Sequence, residues 1–212
     1  MKRKTVAPRR YNAASRQAKA EETRARILAA AKAQFSKHGV DRVTIEDIAV
    51  KAGVAAPTVY KLFRSKAGLL KEIVQGTFFG PNYERVAERT RATDDPFELL
   101  RITASISRVI FDTEKEEIGL MRGTSAFSPE LKKVETAFER IRLDLQKERA
   151  RLLVETFPAA RRLGLAKVRD IMWMYTGRDI YRMLVMERGW SSDEYEEWLG
   201  QALIQTLTGR RS

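Results

Sequence analysis

The segment TIEDIAVKAGVAAPTVYKLF, residues 44–63, leaves few ways to fold. It holds two short runs of apolar residues at helical spacing, a glycine between them, and an apolar residue, Val54, in the middle of the turn. Apolar faces of this kind need a shared core. Ile45, Ile48 and Ala49 make the inner face of the first run, and Val59 and Leu62 make that of the second. Ala49 is small where the second helix has to cross closely. Gly53 ends the first helix and lets the chain turn with positive φ. Val54 is out of place in a solvated loop and fits a turn that tucks into the core. Pro57 falls in the first turn of the second helix, where its missing N–H costs little. Thr44 and Asp47 stand at capping-box spacing. The pattern is that of a helix-turn-helix.

The opposite face of the second helix is small and then basic. Ala55, Ala56, Pro57 and Thr58 let a helix end go deep into a major groove, where methyl groups can meet thymine methyls and Thr58 can hydrogen-bond. Tyr60 and Lys61 can reach phosphates. Thr44 and Ser65 each mark a helix N-terminus with free backbone N–H groups for phosphate oxygens, and Lys66 stands beside the second. An ordinary helical hairpin with an Ala-rich exposed face has the same pattern, and charge separates the two readings. The net charge is +12. Residues 1–22 carry 7 Lys/Arg against 2 Glu, residues 23–80 carry 10 basic against 4 acidic, and residues 81–212 carry 23 against 22. Eleven of the twelve excess charges therefore lie in the first 80 residues. An N-terminal part built to meet a polyanion, double-stranded DNA, is expected.

Elsewhere the chain reads as all-α, with about nine helices and no strand signal. A first helix is expected from Ser15 or Thr23 to Lys37, closed by Gly39, and a fourth from Ser65 to about Phe79. GPN at 80–82 breaks the chain. Helices are expected over Tyr83–Arg91, from Pro96 with Asp95 as cap, and from Ser128 to about Glu155. FPAARRLGL at 157–165 reads as a connection. An apolar helix is expected over 166–188, and a last one from Ser191, with Glu194 at box spacing. The division is a basic arm at 1–22, a DNA-binding domain at 23–79 with its helix-turn-helix at 44–63, and a helical domain at 80–212. In the arm, Lys2, Arg3, Lys4, Arg9 and Arg10 are candidates for a minor groove or for phosphates.

With no cysteine and one histidine, His38, thiol chemistry and His-based catalytic or zinc sites have almost nothing to use. His38 suits a helix C-terminus. Acid pairs such as Asp94/Asp95 sit in capping contexts. No catalytic residue, metal site or cofactor is expected. No apolar run approaches the ~20 residues of a membrane span, and the basic N-terminus lacks the apolar segment of a secretory signal, so a cytoplasmic protein with no membrane partner is expected.

From Thr23 to Phe79 the chain resembles the DNA-binding domain of the tetracycline-repressor (TetR) family. RILxAAxxxF, TxxxIAxxAGV and TVYxxFxSKxxLL stand almost intact at 26–35, 44–54 and 58–70. Two positions depart from the family habit: Ala55 where Ser or Thr is frequent, and Ala67 where Glu is frequent, each weakening a helix cap. The resemblance carries Thr44, Thr58, Tyr60, Lys61 and Lys66 over as DNA-contacting, with Ala55, Ala56 and Pro57 as the groove-facing start of the recognition helix. It implies a homodimer joined through the last two helices, with Gly177, Leu184, Trp190, Trp198 and Leu203 as contacts, on a pseudo-palindromic operator. It also implies a small-molecule effector in the C-terminal domain. Phe111, Met121, Phe127, Trp173, Met174, Tyr175, Arg178 and Tyr181 are candidates for the pocket, with Arg108 and Arg122 as further polar partners. The function so implied is a ligand-responsive transcriptional repressor. An activator or ligand-independent regulator of the same fold, or a non-specific basic DNA-binding or interaction protein, fits the residues as an alternative.

Overall fold

Thr44 closes the first turn of its helix as the spacing requires. Its Oγ1 accepts from the Asp47 N–H at 3.1 Å, and its backbone N–H donates to Asp47 Oδ2 at 2.9 Å. A computed structural model describes residues 11–117 and 128–210 (side chains over 15–115 and 128–210). Among these it is helical, with no strand. Lys2, Arg3, Lys4, Arg9, Arg10, Met121, Arg122 and Phe127 lie outside the described residues.

The N-terminal part is α1 (Tyr11–His38), α2 (Ile45–Ala52), α3 (Ala56–Phe63) and α4 (Lys66–Phe78). α1 starts before the expected Ser15 or Thr23. Ser15 to Glu22 are exposed, so these first turns rest on strong helix formers and not on the core. Ile27, Ala31 and Phe35 of α1 meet Ile48, Ala49 and Val59 in one buried cluster. Gly53, at φ 65°, caps α2 with its N–H toward the carbonyls of Ala49 and Val50. Val54 is half-buried against that core.

The remainder runs α5 (Pro81–Ala87, then a 3₁₀ turn to Arg91), α6 (Pro96–Glu117), α7 (Pro129–Leu145), α8 (Lys147–Thr156), α9 (Pro158–Leu163), α10 (Leu165–Tyr175), α11 (Arg178–Tyr181) continuing as a π-turn over Arg182–Glu187, and α12 (Ser192–Thr208). Two expected single helices are broken. The 128–155 stretch splits at Gln146, and the 166–188 stretch splits at Thr176–Gly177. The second break has a visible cause. Arg142 is buried on α7, and its Nη2 donates to the hydroxyl of Thr176 and to its carbonyl, an end-of-helix acceptor that a continuing helix would have used. The expected connection at 157–165 contains α9. α6 and α12 pack along their length through Leu100, Ala104, Leu199 and Leu203.

α4 belongs to both halves. Leu69, Leu70, Ile73 and Val74 are buried, and Phe78 stacks on Phe138 of α7 with centroids 3.8 Å apart. A second link joins the halves. Ser128, the N-cap of α7, donates to Asp41 Oδ1 at 2.9 Å, in the loop before α2. No helix among the described residues is long and apolar enough to cross a membrane. The Ser128–Asp41 bond is testable in a double-mutant cycle on unfolding with Asp41→Ala and Ser128→Ala. A coupling of about 1 kcal/mol is expected, and additivity within about 0.3 kcal/mol would show the link to be energetically idle.

Candidate functional site

α3 divides cleanly. Val59 and Phe63 are buried, and Arg24 of α1 lies over the Phe63 ring at 4.9 Å. Ala55, Pro57, Tyr60 and Lys61 are exposed, while Ala56 and Thr58 are half-buried. Tyr60 leaves 47% of its surface in solvent, a large value for an aromatic residue not held to a surface role. Ala55 is the N-cap of α3 and provides no side-chain bond; Pro57 has no N–H to satisfy, and the Thr58 N–H donates to the Ala55 carbonyl at 2.9 Å. The outer side of this helix is therefore small at its entrance and carries a phenol and an ammonium one turn on.

Two carried-over residues are already engaged. The Thr44 hydroxyl donates to Asp47 Oδ2 at 2.7 Å and accepts from the Asp47 N–H, which completes the capping box. Any phosphate at this helix end would have to use backbone N–H groups. Lys66 is half-buried, and its Nζ donates to the carbonyls of Asp41 and Val43 at 3.4 and 3.3 Å. It braces the loop before α2, leaving one ammonium N–H for an outside acceptor. Ser65 caps α4 by accepting from the Gly68 N–H at 3.1 Å. Sequence reasoning missed Arg64. It joins α3 to α4 at φ 68°, a left-handed conformation uncommon without glycine, and its side chain is exposed. A one-residue joint between a helix end and the Ser65 cap was the available signal.

The expected effector residues do not converge. Trp173 and Met174 are exposed, and the Trp173 Nε1–H donates to Glu139 Oε2 at 2.9 Å on the surface. The reason is the break at Gly177, which leaves α10 with a narrower buried side, Val168 and Met172. Tyr175 is half-buried beside Trp198. Arg178 pairs with buried Glu114. Arg108 bridges α6 to α12 through Glu196 and Asp193 and pairs with Asp112 on its own helix; the Glu196 bond first among these raises its pKa further. Tyr181 is buried and donates to Asp112, with burial first among the causes pushing its phenol up to about 12. The cavity inside the C-terminal half lies elsewhere. It measures about 40 Å³, and Phe111 is the one described member of the expected set on its wall, together with Arg142, Gln146 and Arg149. A larger trough of about 580 Å³ between α6 and α12 is open and lined by charges such as Arg101, Glu197 and Arg210. It is a surface groove and not an enclosure.

Of the expected dimer contacts, Leu203 is fully buried inside its own chain. Gly177 has a local reason to be glycine, because a Cβ there would meet the Met174 carbonyl oxygen at 2.9 Å. Leu184, Trp190 and Trp198 are half-buried, and the two tryptophans meet edge to face at 6.0 Å.

Residues 27–73 match the family model described as bacterial regulatory proteins, tetR family. Over 84 residues the chain is 36% identical to the HTH-type transcriptional regulator TtgR of Pseudomonas putida, a match covering 39% of each protein, so the chain spans well under half the length of that relative. Over 161 residues it is 29% identical to the HTH-type transcriptional repressor KstR of Rhodococcus jostii, covering 73% of this chain and 70% of the relative. A crystal structure of NalD, the secondary repressor of the MexAB-OprM multidrug efflux pump in Pseudomonas aeruginosa, superposes with a TM-score of 0.67 at 21% identity, covering 90% of this chain and 98% of that one. That last likeness is one of fold.

The capping box carries a pH signature. The side-chain and then the backbone hydrogen bond from Thr44 hold Asp47 below its ordinary 3.8. A carboxylate whose folded pKa is depressed contributes stability that is complete above the ordinary value and is lost as pH falls through the folded one. Asp47→Asn should therefore lower stability at pH 7 and flatten the acid limb below about pH 4, read by thermal unfolding against pH. An unchanged acid limb would show that the box contributes nothing there.

Proposed function

We propose that this chain, which belongs to the tetR family of bacterial regulatory proteins, is a homodimeric, sequence-specific DNA-binding transcriptional regulator, a repressor that leaves its operator when a small molecule occupies its C-terminal domain. The observation that carries this reading is the outer face of α3. Its small entrance at Ala55, Ala56 and Pro57 precedes exposed Tyr60 and Lys61, on a part of the chain that holds eleven of its twelve excess positive charges. TtgR and KstR, named as a transcriptional regulator and a transcriptional repressor, support it by similarity.

In this reading residues 23–79 are the DNA-binding domain, 80–212 the effector and dimer domain, and 1–22 a basic arm. The start of α3 enters the major groove. Thr58 meets a base edge or a phosphate, Tyr60 and Lys61 meet phosphates, and Lys66 uses its remaining N–H on the same backbone. Thr44 contributes its helix terminus. With no polar side chain at 55 or 56, direct readout is modest, and DNA shape supplies much of the specificity. A two-fold dimer through Leu184, Trp190 and Trp198 sets two recognition helices on half-sites a helical turn or more apart. An effector that shifts α7 reaches α3 by two routes, through Phe138 on Phe78 of α4 and through Ser128 on Asp41. A change in the spacing of the two α3 helices worth about 1–3 kcal/mol lowers affinity 5- to 150-fold.

Selection of bound duplexes from a random pool at about 50 and about 200 mM salt tests this. An enriched inverted repeat that survives the higher salt is expected. Binding that vanishes there with no enriched sequence would reduce the chain to a non-specific polycation. On the selected duplex, Lys61→Ala should weaken binding and lower the slope of log affinity against log salt by about 1. Tyr60→Ala should weaken binding with little change of slope, and an unaffected affinity in either variant would rule out this docking.

A further inference from the structure

Arg142, Gln146 and Arg149 stand at i, i+4 and i+7 along α7 and α8, one stripe of a helical surface, and all three border the 40 Å³ cavity. Their bonding differs. Arg142 is occupied: it donates to Glu139 and Thr176, and its guanidinium lies 5.8 Å from the Phe111 ring centre. Gln146 is 5% exposed, and its Nε2 donates to Thr176 Oγ1 at 2.8 Å. Its Oε1 is buried and accepts from nothing among the described residues. Arg149 is half-buried and makes no hydrogen bond or ion pair among the described residues. Burial pushes its guanidinium pKa down. A buried acceptor without a donor and a desolvated cation without an anion are each unfavourable, and both border one small cavity.

We propose that this cavity is the binding site of a small hydroxylated carboxylate, whose oxyanion pairs with the Arg149 guanidinium and whose hydroxyl donates to Gln146 Oε1. One unpaired guanidinium balances one negative charge, which favours a monoanion over a phosphate dianion, and its planar fork matches a carboxylate. Gln146 and Arg149 are three residues apart on nearly continuous helix, so their side chains leave the backbone about 5–6 Å apart, a spacing that one compact hydroxy acid can bridge. Ile106, Ile110 and Phe111 wall the cavity with apolar surface, which strengthens both bonds. The volume takes a head group, and a larger body would leave past Leu145, which is 48% exposed. Phe79, the residue that ends α4, is on the wall, so an occupant touches the helix that leads to α3. Calling this occupant the effector rests on the regulatory reading above, whereas its binding does not.

The test is titration of the full chain at constant ionic strength with glycolate, acetate and ethylene glycol, followed by calorimetry or ligand-observed NMR. Glycolate is expected to bind several-fold more tightly than acetate, and ethylene glycol at least about tenfold more weakly than glycolate. Arg149→Met should abolish glycolate binding and raise the unfolding temperature of the ligand-free chain, because a partly desolvated cation with no ion-pair partner is gone. Arg149→Lys should fold and bind glycolate more weakly than the parent. Equal binding of glycolate and ethylene glycol, unchanged glycolate binding in Arg149→Met, or a lower unfolding temperature in that variant would each overturn the assignment. The selected duplex separates the two readings. Glycolate that binds without altering DNA affinity leaves the site standing and removes its regulatory role. DNA release by neutral compounds alone, with no carboxylate bound, removes the site and leaves the regulatory role.

Discussion

Two phenyl rings stacked at 3.8 Å tie the last helix of the N-terminal half to the C-terminal half. Phe78 lies at the end of α4 and Phe138 in the middle of α7. α4 already packs against α1 and α3 on one side and α6 on the other, through buried residues such as Leu69, Leu70, Ile73 and Val74. With the stack, the same rigid rod reports the position of α7 to the joint at Arg64 and Ser65, one residue from α3. Phe79 and Tyr83 extend the aromatic contact into the wall of the internal cavity. Aromatic stacks are short-ranged and offset-sensitive, so a displacement of α7 is transmitted or lost, with little in between.

A single buried guanidinium determines the rest of the C-terminal geometry. Arg142 crosses from α7 to the end of α10 and holds the Thr176 carbonyl. That grip costs α10 its continuation, and the chain resumes beyond Gly177 as a short helix and a π-turn. The same bonds fix Thr176 Oγ1, which receives the Gln146 amide and donates to the Met172 carbonyl. Tyr195, buried and pushed up to about 12 first by burial, shares a hydrogen bond with Ser107 on the adjacent wall. A charge placed so deep is tolerated where its donors are used, and Arg142 uses them. Arg149, one helical turn past Gln146, does not, and the contrast between two arginines on one stripe marks a site.

What was legible in the sequence was local. The capping boxes at Thr44/Asp47 and Ser191/Glu194 form as their spacing requires, Gly53 and Gly39 take positive φ, and Val54 turns inward. Each depends on residues within a turn of one another, so one stretch of chain carries the whole signal. The break at Gly177 accompanies bonds between residues 30 or 34 apart in sequence, Gln146 and Arg142 to Thr176, and no local pattern announces them. The same reason displaced the expected pocket. Trp173 and Met174 read as interior only on an unbroken helix, and Arg178 and Tyr181 read as free polar groups only without Glu114 and Asp112 beside them. The stripe Arg142–Gln146–Arg149 was present in the sequence at helical spacing, but a basic stripe on a helix is ordinarily solvated, and burial is what distinguishes it.

The charge distribution sets what regulation has to accomplish. On the proposed function, a chain whose first 80 residues carry an excess of eleven positive charges would hold any duplex by counterion release, and no occupant of a distant cavity would alter those charges. What an occupant would alter in the proposed dimer is register: whether two copies of α3 meet successive major grooves at once. Specific binding exceeds non-specific binding by several kcal/mol, and losing the alignment of one half-site forfeits much of that difference while leaving the polycation on DNA. Release from an operator would then be a return to the non-specific pool and not a departure from DNA. The Ser128–Asp41 bond suits such a device, because Lys66 grips the carbonyl of the same Asp41 beside α3. One hydrogen bond is worth about 1 kcal/mol, too little to hold the domain in place but comparable to the shift that decides register.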